Sequence, residues 1–242
     1  MSSKGKYIGL NQRIPFDVLD SAIHYYLDKG VIDKDFILQR VQEFTSGANR
    51  ANKAATYVVQ ILTRQKQILE QLKHVLTSTP YSALRIDDRK ALCLCLISLT
   101  YPITYDLLNS LSQGLKVQSQ INKKFISEKV MSIYGSNRTV DIAIDALLPI
   151  IIELNTIKRD KVSIYSISTK LKIINKFVSE LIVYTDIKLS GSKSLLVDEL
   201  SYKPWFGYFD LSSTVPTTFN VLISKKEGAV GKYYLFSKRL IT

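Results

Sequence analysis

The sequence predicts a mainly helical protein, a helical bundle with helix-turn-helix-like elements followed by a small C-terminal α+β region that contains a β-hairpin. Three observations carry this prediction. Apolar residues recur three or four positions apart from about residue 15 to residue 157, which is the period of an amphipathic helix. Segment 89–101 is apolar nearly all round, as in a helix surrounded by others. After residue 203, aromatic and alternating patterns replace the helical period.

The helices are predicted from their periodicity and from the residues that begin or end them. Asp33 is expected to cap the second helix, and Asp87 or Asp88 the fourth, because short polar side chains accept from free backbone N–H groups at a helix start. Gly30 ends the first helix, and Pro149 is expected to kink the seventh or to mark a joint. In chain order the predicted helices are 16–27, 34–44, 48–77, 89–101, 105–115, 121–134, 138–154 and 169–184.

The remaining segments are predicted to be strands and loops. Segment 158–166 is expected to be a short strand or a loop, and SGSKS at 190–194 a loop. Segments 217–224 and 232–237 are predicted to form a hairpin joined by KKEGAVG. The aromatic cluster at 204–209 is expected to form the core of this tail in preference to a base-stacking surface.

Length and composition favour a folded protein outside the membrane. The chain has 242 residues, of which 46% are hydrophobic, and we divide it into an N-terminal helical domain, 1–135, and a C-terminal helical region with a hairpin tail, 136–242. The longest uncharged stretch, 91–105, contains Pro102 and is too short to span a bilayer. The beginning of the sequence has no apolar block of signal-peptide length, so we expect a cytoplasmic protein without membrane contact.

Positive charge is concentrated in one part of the chain. The net charge is +12, from 33 basic and 21 acidic residues. Segment 45–85 holds six basic residues against one acidic residue, an excess of five. A one-sided excess of this kind points to an acidic partner such as nucleic acid.

This basic segment begins with the pattern of a helix-turn-helix. A short helix, 34–44, is followed by a turn with Gly47 and by a second helix whose front can face a groove. Arginine and lysine bind phosphates or guanine edges, asparagine pairs with adenine, and a helix N-terminus favours phosphate. A capped helix with a solvated polar face fits the same residues, and both interpretations stay open. The candidate nucleic-acid-binding residues are Asn49, Arg50, Asn52, Lys53, Tyr57, Arg64, Lys66 and Lys73.

A second, weaker pattern of this type spans 127–134, a turn at 135–137 and the helix from Arg138. Asp141 and Asp145 on that helix would oppose a phosphate, which favours a structural role. The alternative is a winged-helix unit in which the segment after the helix forms the wing. Its basic residues would then be Lys158, Arg159 and Lys161.

The sequence contains no recognisable catalytic or metal-binding constellation. Cys93 and Cys95 are two positions apart, which is neither a zinc nor a redox spacing, and His24 and His74 lie in no metal-binding motif. SGSKS lacks the rest of a phosphate-binding loop. We therefore expect a protein that is not an enzyme and that carries no cofactor or metal.

Three segments resemble the BrxA family of accessory proteins of BREX phage-defence systems. They are FTSGANRANKAATYVVQILTRQKQIL, IDDRKALCLCLISLTYPITYDLLNSL and SNRTVDIAIDALLPIIIELNTIKR, and the likeness spans roughly residues 15–160 as a pattern. This resemblance implies a helical bundle like that of the NusB antitermination factor. It also implies that the protein binds double-stranded DNA and has other subunits of the defence system as partners. Asn49, Arg50, Lys53 and Arg64 fall on matching positions. An RNA-binding, NusB-like antitermination role and a protein–protein scaffold remain the alternatives.

Overall fold

The computed structural model describes residues 7–77, 79–212, 221–229 and 231–237. It confirms a mainly helical protein with a smaller strand-containing part toward the C-terminus. The described α-helices are α1 Phe16–Lys29, α2 Lys34–Gln42, α3 Ala48–Arg64, α4 Lys66–Val75, α5 Ile86–Thr100, α6 Ile103–Val117, α7 Lys123–Tyr134, α8 Arg138–Glu153 and α9 Lys176–Ser190. The strands are β1 Ile121–Asn122, β2 Ile157–Lys161, β3 Ile164–Ile167, β4 Leu171–Lys172, β5 Ser194–Leu196, β6 Phe209–Asp210, β7 Ile223–Gly228 and β8 Gly231–Phe236. Short 3-10 helices cover Tyr81–Ala83, Val197–Ser201 and Pro204–Tyr208.

The first three helices form a compact group, and the end of α1 and the start of α2 follow the predicted signals. Gly30 adopts a left-handed conformation, φ 74°, and ends α1. The Asp33 side chain accepts from Asp35 N at 3.0 Å and Phe36 N at 2.9 Å, which confirms it as the cap of α2. A five-residue connection, 43–47, then leads into α3. Because α1 contacts both α2 and α3, these helices share one core.

The prediction of one helix from residue 48 to residue 77 is wrong, because the chain changes direction at Gln65. The backbone of Gln65 leaves the helical region, with φ −104° and ψ 19°, and its Nε2 donates to Thr100 Oγ1 at 3.1 Å. This break separates two buried stripes, one centred on Val58 in α3 and one on Leu69 in α4. Neither glycine nor proline marks the position in the sequence.

Helix α5 lies at the centre of the fold, as its uniformly apolar sequence predicts. Every residue from Ala91 to Thr100 except Leu99 is buried. The predicted cap at Asp87 or Asp88 is wrong, because both lie in the first turn of α5 and bind another segment. Asp87 Oδ2 accepts from Lys172 N at 3.0 Å, and Asp88 Oδ1 accepts from the backbone N–H groups of residues 174 and 175 at 3.1 and 3.0 Å.

These contacts explain why the predicted helix 169–184 begins later than expected, at Lys176. Leu171 and Lys172 are extended and pair in parallel with β6. The two carboxylates of α5 hold residues 172–175 in this extended path, and the Asn175 side chain then caps α9 by accepting from Val178 N at 3.1 Å. Leu171 and Ile174 have the spacing of a helix in the sequence, but both lie before α9 begins.

Residues 103–167 build a unit that we call the first hairpin unit. Its order is α6, β1, α7, α8, β2 and β3, and β1 replaces the start of the helix predicted from residue 121. The segment expected to be a strand or a loop is the β2–β3 hairpin. The antiparallel strand order is β1-β3-β2, with Ile121 opposite Tyr165. Helix α8 continues through Pro149 to Glu153.

The C-terminal strands form a second antiparallel sheet in the order β5-β8-β7. The predicted hairpin is present as β7–β8, although residues 217–220 of its first predicted strand lie outside the described residues. Strand β7 runs to Gly228 and includes most of the segment expected to be the connection. Trp205 and Tyr208 are fully buried, which confirms the aromatic cluster as core.

One hydrophobic core links these parts. Helix α5 contacts α1 and α3 as well as α9. The division at residues 135 and 136 stays a prediction. Within the described residues no individual helix has both the length and the hydropathy to cross a membrane, and α5 and α6, which would suffice as a pair, bend by 116° at the break between them.

Candidate nucleic-acid interface

The first turns of α3 present a polar, positively charged surface that we call the α3 front, defined as Asn49, Arg50, Asn52 and Lys53. All four side chains are exposed, while the neighbouring Ala51, Ala54 and Ala55 are buried. The amphipathic pattern of the sequence therefore predicts this division of α3 correctly. Small alanine side chains on the inner face let the helix pack closely against its neighbours.

The α3 front keeps its charges available. Neither Arg50 nor Lys53 forms an ion pair with a carboxylate of the described residues, and the aliphatic part of Arg50 lies over Gly47, where an added Cβ would be 3.7 Å from Arg50 Cδ. Gly47 is the N-cap of α3 and has no side chain that could accept from the first-turn N–H groups. Helix N-termini with free donors favour anions, and the absence of an acidic residue in this turn strengthens that preference.

Tyr57 and Arg64 follow Lys53 on the same stripe of α3, but the N-terminal arm, residues 7–15, lies against them. Tyr57 Oη donates to Asn11 Oδ1 at 2.6 Å. The Arg64 guanidinium stands 5.3 Å from the centre of the Tyr7 ring, and its Nη1 donates to Thr100 O at 3.4 Å. These two predicted residues therefore contribute to a folded contact as well as to the surface.

Lys66 and Lys73 belong to α4, beyond the change of direction at Gln65. Both are exposed. Lys73 Nζ lies near Gly30, 3.6 Å from the position that a Cβ would occupy there, and so sits beside the C-terminal end of α1. Lys29 first, and Lys73 to a smaller degree, hold the pKa of the nearby Asp28 below its usual value. The structure thus divides the eight predicted residues among the α3 front, the arm contact and α4.

The first hairpin unit adds basic residues beside α8. Lys158, Arg159 and Lys161 are exposed on β2, where the sequence suggested a wing. The single carboxylate within β2, Asp160, accepts from Gln120 Nε2 at 2.9 Å and lies 4.0 Å from Lys158 Nζ. The tip of this hairpin therefore carries more positive than negative charge.

The acidic residues of α8 are partly neutralised by contacts that the sequence does not reveal. Asp145 forms an ion pair with Lys123 of α7. Glu153 accepts from Arg13 Nη2 at 2.9 Å and from Phe16 N, at the start of α1, also at 2.9 Å. The expected opposition of α8 to a phosphate is weakened at Asp145, since a paired carboxylate repels an anion less than a free one does.

Sequence reasoning missed the N-terminal arm as part of this surface. Tyr7 stacks near Tyr101 at 6.5 Å between ring centres, and the Tyr101 hydroxyl donates to Gln60 Oε1 at 2.8 Å. The Tyr7 side chain remains 52% exposed. Contacts between residue 7 and residues 64 and 101 have no local signature, because they depend on how distant segments pack.

Potential catalytic and metal-binding groups do not come together in the part of the chain that the structure describes. Cys93 and Cys95 are fully buried, and burial raises the pKa of Cys95 to about 12, so it stays a protonated core thiol. No group of three or more His, Cys, Asp or Glu side chains there is arranged to hold a metal ion.

No protein-family model, curated protein or solved structure matches this chain significantly.

Proposed function

We propose that this protein is a non-enzymatic DNA-binding protein that docks the α3 front on the phosphate backbone of a duplex. The observation that carries the proposal is the pair of exposed cations, Arg50 and Lys53, at a helix start without a capping side chain. Neither is neutralised by a described carboxylate. Backbone amides, the helix dipole and two exposed cations all favour the same anion at this place.

The preceding elements support insertion of α3 into a groove. Helix α2, the connection 43–47 and α3 follow the order of a helix-turn-helix, in which the front of the second helix meets the bases. Asn49 and Asn52 stand beside the two cations and have the amide groups that pair with adenine. Phosphate contacts then supply affinity, while the two asparagines supply any preference for sequence.

The first hairpin unit supports the same function through its topology. Its elements follow a winged-helix-like order. A helix and a short strand are followed by two helices and then by a hairpin, and the last strand of the hairpin pairs with the first short strand. Lys158, Arg159 and Lys161 then take the place of wing residues. We expect them to act as additional phosphate contacts and α8 to act mainly as a support.

Single-stranded RNA is the second candidate ligand, favoured by the Tyr7 ring. This ring is half exposed and lies beneath the Arg64 guanidinium, and an aromatic face next to an arginine is a common stacking place for unpaired bases. Competition between duplex DNA and single-stranded RNA of equal length separates the two candidates. A protein–protein scaffold is the third, favoured by exposed apolar residues such as Val117 and Val162.

The resemblance to BrxA proteins supports a role as an accessory subunit of a phage-defence system. Other subunits of such a system would be its protein partners. The genes beside this one test the role directly: a methyltransferase gene and a gene for a large ATPase are expected there. Neighbours of unrelated function would remove the support that the resemblance gives.

Replacing Arg50 and Lys53 together with alanine tests the proposed DNA site. Each lost phosphate contact lowers affinity by roughly tenfold at 0.1 M salt and reduces the slope of log K against log salt by about 0.9. We expect the double variant to bind a duplex more weakly, with a flatter slope, in fluorescence anisotropy titrations over a range of salt concentrations.

A charge-matched control is available in Lys170→Ala with Lys172→Ala. Both lysines are exposed near β4, away from the α3 front in the chain, and removing them lowers the net charge by the same amount. Equal affinities and slopes for the two double variants would contradict the proposed site, because only overall charge would then matter.

A further inference from the structure

The C-terminal region repeats the layout of the first hairpin unit. Helices α6 and α9 are both 15 residues long. Residues 118–120 separate α6 from β1, and residues 191–193 separate α9 from β5, so that a strand follows each helix at the same distance. We call residues 176–212, 221–229 and 231–237 the second hairpin unit.

The two sheets also share their strand order. In the first unit β1 pairs with the second strand of the β2–β3 hairpin, and in the second unit β5 pairs with the second strand of β7–β8. All of these pairings are antiparallel. Where the first unit has α7 and α8, the second has the 3-10 helices Val197–Ser201 and Pro204–Tyr208. Within its described residues the second unit therefore keeps the hairpin but has only short 3-10 helices between its first strand and that hairpin.

The second hairpin is strongly basic. Lys225, Lys226 and Lys232 are exposed on it, and Glu227 is the single carboxylate in residues 221–229 and 231–237. Lys188 at the end of α9 and Lys193 before β5 are exposed beside the same sheet. None of these five lysines forms an ion pair with a described carboxylate. Their positive charge is therefore not neutralised by a carboxylate of the described residues.

The base of this hairpin is buried in the core while its lysines are exposed. Ile223 and Tyr234 are fully buried and anchor the two strands against α9. Lys225 and Lys226 are neighbours on a strand and project from opposite faces, opposite Tyr234 and Tyr233 in the register. Lys225 Nζ stands 5.8 Å from the centre of the Tyr234 ring, a cation–π contact that leaves its positive charge without a carboxylate partner among the described residues. The hairpin thus presents ammonium groups on both of its sides from a fixed support.

We propose that the β7–β8 hairpin is a second phosphate-binding element for duplex nucleic acid. The inference rests on the proposed function, since it assigns a further contact to the same ligand. A narrow hairpin with lysines on both faces suits a surface that carries dense and regular negative charge, and DNA carries one charge per roughly 1.7 Å of helix axis. The first hairpin unit places Lys158, Arg159 and Lys161 at the corresponding position.

The test replaces Lys225 and Lys226 with alanine and compares the variant with Lys170→Ala/Lys172→Ala, which removes the same charge at and just before β4. Duplex binding is measured by anisotropy at several salt concentrations, next to the Arg50→Ala/Lys53→Ala variant. Two lost phosphate contacts predict an affinity lower by roughly a hundredfold at 0.1 M salt and a salt slope smaller by about 1.8. Far-UV circular dichroism and the thermal midpoint check that each variant is folded.

The possible outcomes separate this inference from the proposed α3 site. Weaker binding of the hairpin variant than of the control supports the hairpin contact, whether or not the α3 variant is impaired. Normal binding of the hairpin variant together with weak binding of the α3 variant overturns the hairpin contact alone. A wild-type protein that does not bind any duplex overturns both, and so does a loss that is equal in all three variants.

Discussion

Asp88 is a buried carboxylate that joins two segments far apart in the chain. Its side chain is fully buried, and Oδ1 accepts from the backbone N–H groups of Ile174 and Asn175. The other oxygen, Oδ2, has no hydrogen-bond partner among the described residues. Burial raises the pKa of Asp88 above its usual value, and the two backbone donors offset only part of this effect. One carboxylate thus fixes the place at which the extended segment before α9 turns into helix.

We expect Asp88→Asn to be tolerated and Asp88→Ala to be destabilising. Asparagine keeps an oxygen for the two backbone donors and removes a buried charge, whereas alanine leaves both donors unsatisfied, which costs about 1–3 kcal/mol for each donor that stays buried. Urea unfolding of both variants and of the wild type measures the difference. An Asp88→Ala protein as stable as Asp88→Asn would contradict the role of these hydrogen bonds.

The same residue gives a pH dependence with a definite sign. Because burial raises the folded-state pKa of Asp88 above the unfolded value, the folded chain binds its proton more tightly. The contribution of this group to the free energy of unfolding is therefore greatest below the unfolded pKa and falls as pH rises through the folded pKa. Asp88→Asn should lack this contribution, so the difference in stability between variant and wild type should change over that range.

At the scale of an element, α3 combines a folded support with a free end. Its apolar face, Ala51 to Leu62, is buried, and Tyr57 and Arg64 on its outer stripe meet the N-terminal arm. The first turn has no such contact and no side-chain cap. A helix that is held along its length while its first turn stays open can present its N-terminus to a ligand with little rearrangement.

Two substitutions of Gly47 separate helix stability from DNA affinity. Gly47 has φ −88°, which any residue adopts, and an added Cβ would be in ordinary contact with Arg50 at 3.7 Å. Serine and aspartate at this position both provide a cap and should stabilise α3 by a few tenths of a kcal/mol. Aspartate also places a negative charge on the α3 front. We therefore expect Gly47→Asp to weaken duplex binding by roughly tenfold at 0.1 M salt and Gly47→Ser to leave it nearly unchanged.

Thermal unfolding and anisotropy titrations of the two Gly47 variants give both quantities. Equal binding by the serine and aspartate variants would argue that no phosphate approaches the start of α3. Loss of binding in both would point to a requirement for glycine itself, for example a close approach of the backbone to the ligand.

At the scale of the whole molecule, α5 connects the N-terminal helices with α9 and the C-terminal aromatic core. A buried polar contact also holds the C-terminal part together. Asp186 of α9 accepts from Tyr105 Oη at 2.7 Å and pairs with Lys203. Lys203 is thus the partner of a fully buried carboxylate. The continuous core leads us to expect cooperative unfolding.

Leu62→Ala tests this cooperativity. Leu62 is buried in α3, and its truncation should cost about 2–5 kcal/mol. The chain has one tryptophan, Trp205, and it is buried in the C-terminal region. If the core unfolds as a unit, tryptophan fluorescence and far-UV circular dichroism should give the same midpoint, and both should shift in the variant. A fluorescence transition that does not shift would instead favour independent parts divided near residue 135.

The sequence by itself determined the features that depend on neighbours within a turn or two. The helical period located α1, α2 and the exposed face of α3, and Asp33 and Gly30 marked their ends as predicted. Amphipathic spacing fixes which side of a helix is buried, so the exposure of the α3 front also followed from the sequence. The concentration of positive charge in 45–85 is likewise a property of composition.

Only the tertiary structure decided where distant segments meet. Helix α3 ends at Gln65, whose side chain donates a hydrogen bond to Thr100. The carboxylates of Asp87 and Asp88 hold the segment before α9 extended, so that α9 begins only at Lys176. Tertiary packing also decides that the arm covers Tyr57, that Lys73 lies beside α1 and that β5 pairs with β8. These contacts join residues 35 or more positions apart, and their free energy depends on the packing of the whole core, which leaves no periodic trace in either segment.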